Sequence, residues 1–351
     1  MNAVRGPVLA FLPRLRGRVS QYLGIALLAV LGFWLVENFV RTPGAFTSVL
    51  LSGLTNGAVY ALVALGYTLV YGIIELINFA HGDVFMWGTM ISVTVGINLF
   101  GLNGSQNGFV TAGALIVVLF GAMMFCAVLN VTVERVAYRR LRNAPRLAPL
   151  ITAIGVSFIL QNLGAVVFGF NYKNADGILP NGALFHIGQS AYREKALIVL
   201  LVTIPALLVM TYLVRSTRAG KAMRATAQDR DAARMLGINV DRTIAFTFAL
   251  GGGLAGVGGF LYVMYFTTTR FDLGFQIGLF AFTAAVLGGI GNLAGAALGG
   301  LLIGLIQNFN EGLSWNAPGS SWTESIVFTI LILILVFRPQ GLLGESTVTR
   351  A

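Results

Sequence analysis

The sequence predicts an all-α polytopic membrane protein with about ten transmembrane helices, in a range of 8–10. Three observations lead there. Hydrophobic residues fill 56% of the 351 positions and charged residues only 10%, against roughly 25% charged in a soluble domain. The apolar residues fall into charge-free runs long enough to cross a bilayer, which takes about 20 residues. The 23 basic residues cluster between alternate runs. So few charges cannot cover the surface of a soluble domain of this size, and the composition is opposite to that of a disordered chain.

The spans follow in order. Val19 to Val36 is the first charge-free run, with 18 residues, and it predicts a helix over 20–38. Its apolar core continues into Phe33-Trp34-Leu35 without a small-residue cleavage site, so it reads as a retained span, not a signal peptide. Thr42 to Ile74 has 33 residues and predicts 46–73, with a possible break near Asn56-Gly57 or Gly66. Val84 to Val133 has 50, divided by the turn-like Gly101-Leu-Asn-Gly-Ser-Gln-Asn-Gly108 into 84–100 and 109–132. Leu147 to Tyr172 predicts 148–170, Ala196 to Val214 predicts 196–214, and Thr243 to Thr269 predicts 243–266. Leu273 to Asn310 has 38 residues, too long for one span at about 1.5 Å per residue, and predicts 274–289 and 293–310. The junction Gly288-Gly-Ile-Gly-Asn292 carries no charge, so a re-entrant or broken helix buried in protein remains an alternative there. The last span is 322–337.

Orientation follows from the basic residues. With the N-terminus inside, inner segments hold 18 of the 23 Lys and Arg and outer segments hold 5. Positive charge marks the cytoplasmic side, so both termini lie inside. The net charge of +10 is then topogenic and does not signal nucleic-acid binding. This divides the chain into a basic cytoplasmic N-terminus (1–19), a transmembrane domain (20–337) containing a cytoplasmic loop at 215–242, and a cytoplasmic tail (338–351).

Several motifs carry little chemistry. Gly251-Gly-Gly-Leu-Ala-Gly256 matches the dinucleotide fingerprint, but it lies inside an apolar run with no preceding strand. No Gly-x4-Gly-Lys-Ser/Thr loop occurs, so any ATP hydrolysis belongs to another subunit. The single cysteine, Cys126, and the His81/Asp83 pair do not make a metal site. Asn78-Phe-Ala-His81-Gly-Asp83 reads as residues that cap helix ends and hydrogen-bond a turn. Gly252/Gly256 and Gly291/Gly295/Gly299 repeat every four residues, the spacing of close helix packing. The neutral polar residues within or beside the spans are candidates for the translocation path: Asn56, Tyr60, Tyr67, Thr68, Asn78, Gln161, Asn162, Thr283 and Asn292. The proposed span interiors hold no acid or base, which argues against an ion-coupled carrier.

The 215–242 loop is the most informative soluble segment. Asp229 or Asp231 can start a short helix. Ala232, Met235, Leu236 and Ile238 give it a small and apolar face, and Gly237 can end it in a left-handed turn. Spacing alone leaves two covers for that face: the chain's own helices and headgroups, or a cytoplasmic partner.

Asp231-Ala232-Ala233, three residues, then Gly237 resembles the Glu-Ala-Ala-x3-Gly loop of bacterial ABC importer permeases. Aspartate replaces the usual glutamate, and the later Leu-Pro is absent. Three further segments extend the likeness. They are Gly53 to Gly72 running into Ile77-Asn-Phe-Ala-His-Gly-Asp83, Val133 to Arg142 running into Leu147 to Gly155, and Phe337-Arg-Pro-Gln-Gly-Leu-Leu-Gly344. In order and over about 46–344, they are similar to the permease subunit of branched-chain amino acid ABC importers. The resemblance implies the ABC importer permease fold in the bacterial cytoplasmic (inner) membrane, and branched-chain amino acids delivered by a periplasmic binding protein. It implies a second related permease subunit and two ATPase subunits, which would bind the ATP and Mg; no cofactor is expected in this chain. It places ATPase coupling on Arg224, Asp229, Asp231, Ala232, Ala233, Arg234, Leu236 and Gly237. A urea or short-chain amide importer is the alternative within the same class, and a stand-alone carrier or channel is the alternative outside it.

Overall fold

The computed structural model describes residues 29–344, apart from 77, 103–107, 143, 146, 176–177, 179–181 and 188–189. The expected basic N-terminus, the start of the first span and the end of the tail lie outside the described residues. Helix α1 covers 29–41. It is followed by α2 (Pro43–Ile74), α3 (His81–Thr94) with a π-turn at Val95–Leu99, α4 (Gly108–Val133) and α5 (Leu147–Phe168). After a short outer hairpin come α6 (Glu194–Ser216), α7 (Arg218–Gln228), α8 (Arg230–Met235) and α9 (Val240–Phe266). The chain closes with α10 (Leu273–Gly288), α11 (Leu293–Gly312) and α12 (Thr323–Phe337). Among the described residues, seven helices are long and apolar enough to cross a membrane, and α10 is a shorter apolar helix.

The long helices form because their sequences are apolar all round, as expected where lipid or other helices replace water. α2 and α9 are the buried centre, while α4, α5, α6 and α12 turn most of their apolar surface outward. α2 starts on Pro43, whose missing N–H costs nothing in the first turn, and runs unbroken for 32 residues. The possible breaks at Asn56-Gly57 and Gly66 are not there. Both glycines instead receive a neighbour. A Cβ on Gly57 would stand 2.7 Å from Leu301 Cα, and one on Gly66 would strike the His81 imidazole. α11 packs along α2 through Gly53, Gly57, Gly300 and Gly304. α4 packs along α9 through Gly252 and Gly256, where a Cβ on Gly256 would stand 2.5 Å from Ala122 O. Gly295 and Gly299 meet Gly288 and Ala284 in the α10–α11 pair. Gly291 departs from the expected packing set: it has a φ of 93° and no described residue near its missing side chain, so it serves the turn.

That turn replaces the re-entrant alternative at 288–292. Asn292 N donates to Gly289 O (3.0 Å), and Asn292 Oδ1 accepts from Gly295 N (3.0 Å) to cap α11. The tail folds back over it, with Leu342 N on Leu287 O and Leu343 N on Gly288 O. The re-entrant character lies elsewhere. After α2 ends at Glu75, the chain climbs back into the protein before α3 begins. His81 packs at Gly66, eight residues from the end of α2, or about 12 Å of helix.

On the outer side α1 is fastened to the α11–α12 connection. Trp34 Nε1 donates to Trp315 O (2.9 Å), Asn38 Nδ2 donates to the same oxygen (3.2 Å), and the Arg41 guanidinium lies 4.9 Å over the Trp315 ring.

Candidate functional site

The early start of α3 overturns two expectations. His81 and Asp83 are fully buried inside the helix bundle, so an acid and a base do lie within the protein interior. Neither caps a helix end: α3 has no side-chain N-cap. Asp83 instead reaches across to α5, where Oδ1 accepts from Gln161 Nε2 (3.0 Å). Gln161 Nε2 also lies 3.3 Å from Ser157 Oγ. The His81 ring meets the Tyr67 ring edge-on at 4.8 Å. One turn earlier, Asn78 Oδ1 accepts from Tyr138 Oη (2.9 Å), while Asn130 Nδ2 donates to Phe248 O (2.7 Å). Three of the candidate path residues, Tyr67, Asn78 and Gln161, therefore share one buried polar layer around the start of α3. Buried polar groups of this kind hold helices in register, because each needs its partner where no water is available.

The other candidates separate. Thr68 and Asn292 line one inward-facing cleft of about 560 Å³ between α2, the α6–α7 corner and the α10–α11 turn. Both side-chain ends of Asn292 are engaged there, one on the α11 cap and the other on Leu343 O (2.7 Å). The Thr68 hydroxyl and the Asn56 side-chain oxygen are buried without a partner among the described residues. Tyr60 Oη bonds Gln307 Oε1 (2.5 Å), the first link of a chain through Glu311 to Thr323 Oγ1 near the outer surface. Thr283 is buried and bonds back to Leu279 O in its own helix. Asn162 is exposed on α5, bonded to Phe158 O, and is not brought to the others.

The cytoplasmic loop forms two helices. Asp229, extended at φ −157°, ends α7 and caps α8, with Oδ1 accepting from the N–H groups of Asp231 (2.8 Å) and Ala232 (3.0 Å). Gly237 at φ 80° ends α8. Gly237 N donates to Arg234 O and Ile238 N to Ala233 O, the paired bonds of a Schellman turn. Arg234 and Asp231 form an exposed pair at 2.9 Å. The structure divides the expected face, with Ile238 packed partly against the core. Ala233 turns inward, while Met235 and Leu236 are 83% and 79% exposed. No other described helix of the chain covers them.

An ion cluster anchors this loop to the bundle. Arg142 joins the buried Glu134 and also donates to Asp241 Oδ1 (2.5 Å), and Arg139 donates to Asp241 Oδ2 (2.7 Å). The cluster ties the inner extension of α4 to the first turn of α9. Arg224 has a structural role here: it donates to Val214 O and Arg215 O, capping the end of α6.

Comparison with known proteins places this architecture. Residues 49–336 match the family model described as branched-chain amino acid transport system / permease component. The chain belongs to that family. It is 39% identical over 314 residues to the high-affinity branched-chain amino acid transport system permease protein LivH of Escherichia coli (strain K12), covering 87% of this chain and 97% of that protein. It is 38% identical over 307 residues to BraD of Pseudomonas aeruginosa, another high-affinity permease protein of such a system, covering 86% of this chain and 96% of that one. A probable branched-chain amino acid transport permease protein from Methanocaldococcus jannaschii is 27% identical over 295 residues, covering 81% of this chain and 88% of that protein. The chain is thus a multi-pass inner-membrane permease of the ABC class, a component that works with other ABC transporter components. The matched region takes in every helix from α3 to α11, whereas α1 precedes it.

Proposed function

We infer that this permease carries branched-chain amino acids into the cytoplasm as one membrane subunit of an ATP-driven importer. A periplasmic binding protein delivers the substrate, a second related permease completes the path, and two partner subunits bind ATP and Mg. The observation that carries the assembly is the exposed Met235–Leu236 pair on a capped cytoplasmic helix, since large apolar side chains held out in water call for a partner. Helix-in-groove docking suits a short, rigid, apolar-faced helix. The substrate reading rests on the extent of the likeness to permeases of that class. A zwitterionic amino acid also suits a route lined by neutral polar groups such as Thr68 and by backbone freed at the break before α3.

The test is uptake of labelled leucine in the source cells with and without this gene, with valine, urea and acetamide as competitors. Uptake lost on deletion and competed by valine alone supports the assignment. Loss of labelled urea uptake with leucine uptake intact would keep the family and discard the substrate.

A further inference from the structure

Helix α7 is a strut between two transmembrane helices. At its start, Thr217 Oγ1 donates to Leu213 O (2.6 Å), and from midway along it the Arg224 guanidinium reaches back to donate to Val214 O and Arg215 O. Both arginine contacts fall on the last turn of α6. Just past the other end of α7, Arg230 Nη2 donates to Ile73 O and Ile74 O, each at 3.2 Å. Those carbonyls close the last turn of α2. The final turn of a helix presents unsatisfied carbonyls with partial negative charge, and a guanidinium suits that end. Each arginine therefore holds a different helix.

The inner end of α2 has room on both sides. One side is the cleft lined by Thr68, Leu69 and Gly72, with Val214 and Met223 opposite. The other is a cleft of about 400 Å³ that reaches Glu75, Pro149 and Gln228. Directly after the arginine contacts, Glu75 adopts a φ of 55°, a left-handed conformation that few non-glycine residues take. From there the chain turns into the segment that leads to the buried layer around His81 and Asp83.

We propose that Arg230 transmits movement of the docking helix α8 to the inner end of α2, with Arg224 keeping α7 fixed on α6. This rests on α8 being the docking helix. Arg230 is the first residue of α8, so a partner gripping Met235 and Leu236 acts on Arg230 through one short rigid helix. Drawing the last turn of α2 along with α8 widens one cleft and narrows the other. The cleft holding Thr68 then opens or closes toward the cytoplasm, a shear of packed elements between two discrete arrangements. Arg230 is a positioning residue, with no contact to the transported molecule.

The experiment uses the complete importer in proteoliposomes, with spin labels at Glu75→Cys and Arg215→Cys to follow the inner ends of α2 and α6 with and without ATP. Arg230→Ala is expected to retain the ATPase subunit, to lose the ATP-dependent change in label distance, and to lower uptake about tenfold, the scale of one lost charge-assisted hydrogen-bond pair. Arg230→Lys keeps the charge without the planar fork and is expected to fall between. A normal distance change with normal uptake in Arg230→Ala overturns the proposal. Loss of the ATPase subunit from that variant also overturns it, by making Arg230 part of the docking surface. If Arg230→Ala fails to insert, Arg230→Gln takes its place under the same readings. Docking is tested separately by Met235→Asp with Leu236→Asp. Retention of the ATPase subunit by that double variant would remove the docking reading and this proposal together, whereas failure of Arg230→Ala alone leaves docking standing.

Discussion

At the scale of the residue, the buried polar layer around α3 decides most. Asp83 has a carboxyl where no water reaches, and Gln161 supplies its hydrogen bond from another helix. Replacing Gln161 by Leu is expected to cost about 1–3 kcal/mol, the range for leaving a buried polar group without its hydrogen-bond partner, while Gln161→Glu fails for a different reason by setting two carboxyls together. Thermal unfolding of the detergent-purified subunit would read both, and an unchanged Gln161→Leu would remove Asp83 from this role. Arg142 makes a similar case at the cytoplasmic end. Arg142→Met strands Glu134, whose side chain is 2% exposed. Removing one partner of a buried pair costs about 3–5 kcal/mol, so the subunit should lose stability far more than in Arg234→Met, whose pair with Asp231 is exposed. Equal losses in the two variants would contradict the burial argument.

At the scale of the element, backbone contact between helices sets what is tolerated. A side chain on Gly57 or Gly252 would run into the facing helix, whereas Gly155 on α5 has nothing within 4 Å among the described residues. Gly57→Leu and Gly252→Leu should each destabilise by about 1–3 kcal/mol or more, the cost of forcing extra atoms into a filled interface. Gly155→Leu should be silent in the same melting assay, and a silent Gly57→Leu would mean the α2–α11 contact is not close. The four-residue glycine spacing disclosed the Gly252/Gly256 and Gly295/Gly299 contacts in the sequence, because small residues on successive turns are what close approach requires, whereas Gly57 read as a possible break and proved to be a packing position. Helix limits were also legible to within a few residues, since charge-free runs end where water begins. The start of α3 was not. Its apolar run begins at Val84, but His81 and Asp83 are carried inside by a backbone that turns back after Glu75, and composition carries no trace of that turn. Asn130 sat unflagged in an apolar run, although a polar residue there needs a partner. Arg230 looked like one more cytoplasmic arginine, and only its carbonyl partners on α2 distinguish it.

At the scale of the whole molecule, topology is the quantity to test. In intact cells an impermeant maleimide should label a cysteine placed at Ser314, beside the outer attachment of α1. One placed at Met235 should react only after the membrane is opened. Native Cys126 is fully buried and should stay silent in both. Labelling of Met235→Cys from outside would invert the orientation. The charge count predicts this arrangement, because positive residues are retained on the cytoplasmic side regardless of how helices pack. Which helices face outward was not read from the sequence, although the buried α2 has a mean hydropathy of 1.8 and the mostly outward helix that begins at Gly108 one of 2.6.

The length of α2 bears on the bilayer itself. Its 32 residues make a rod of about 48 Å, against a hydrocarbon core of roughly 30 Å. A lipid-bathed helix of that length would have to lean steeply or thicken the membrane around it. α2 is wrapped by its neighbours and has little lipid to answer to. The outward helices α5 and α6, with 22 and 23 residues, span about 33–35 Å and keep most of their apolar surface uncovered by the other described helices. Acyl-chain length should therefore tune transport to the reach of α5 and α6, leaving the oversized central rod indifferent to membrane thickness.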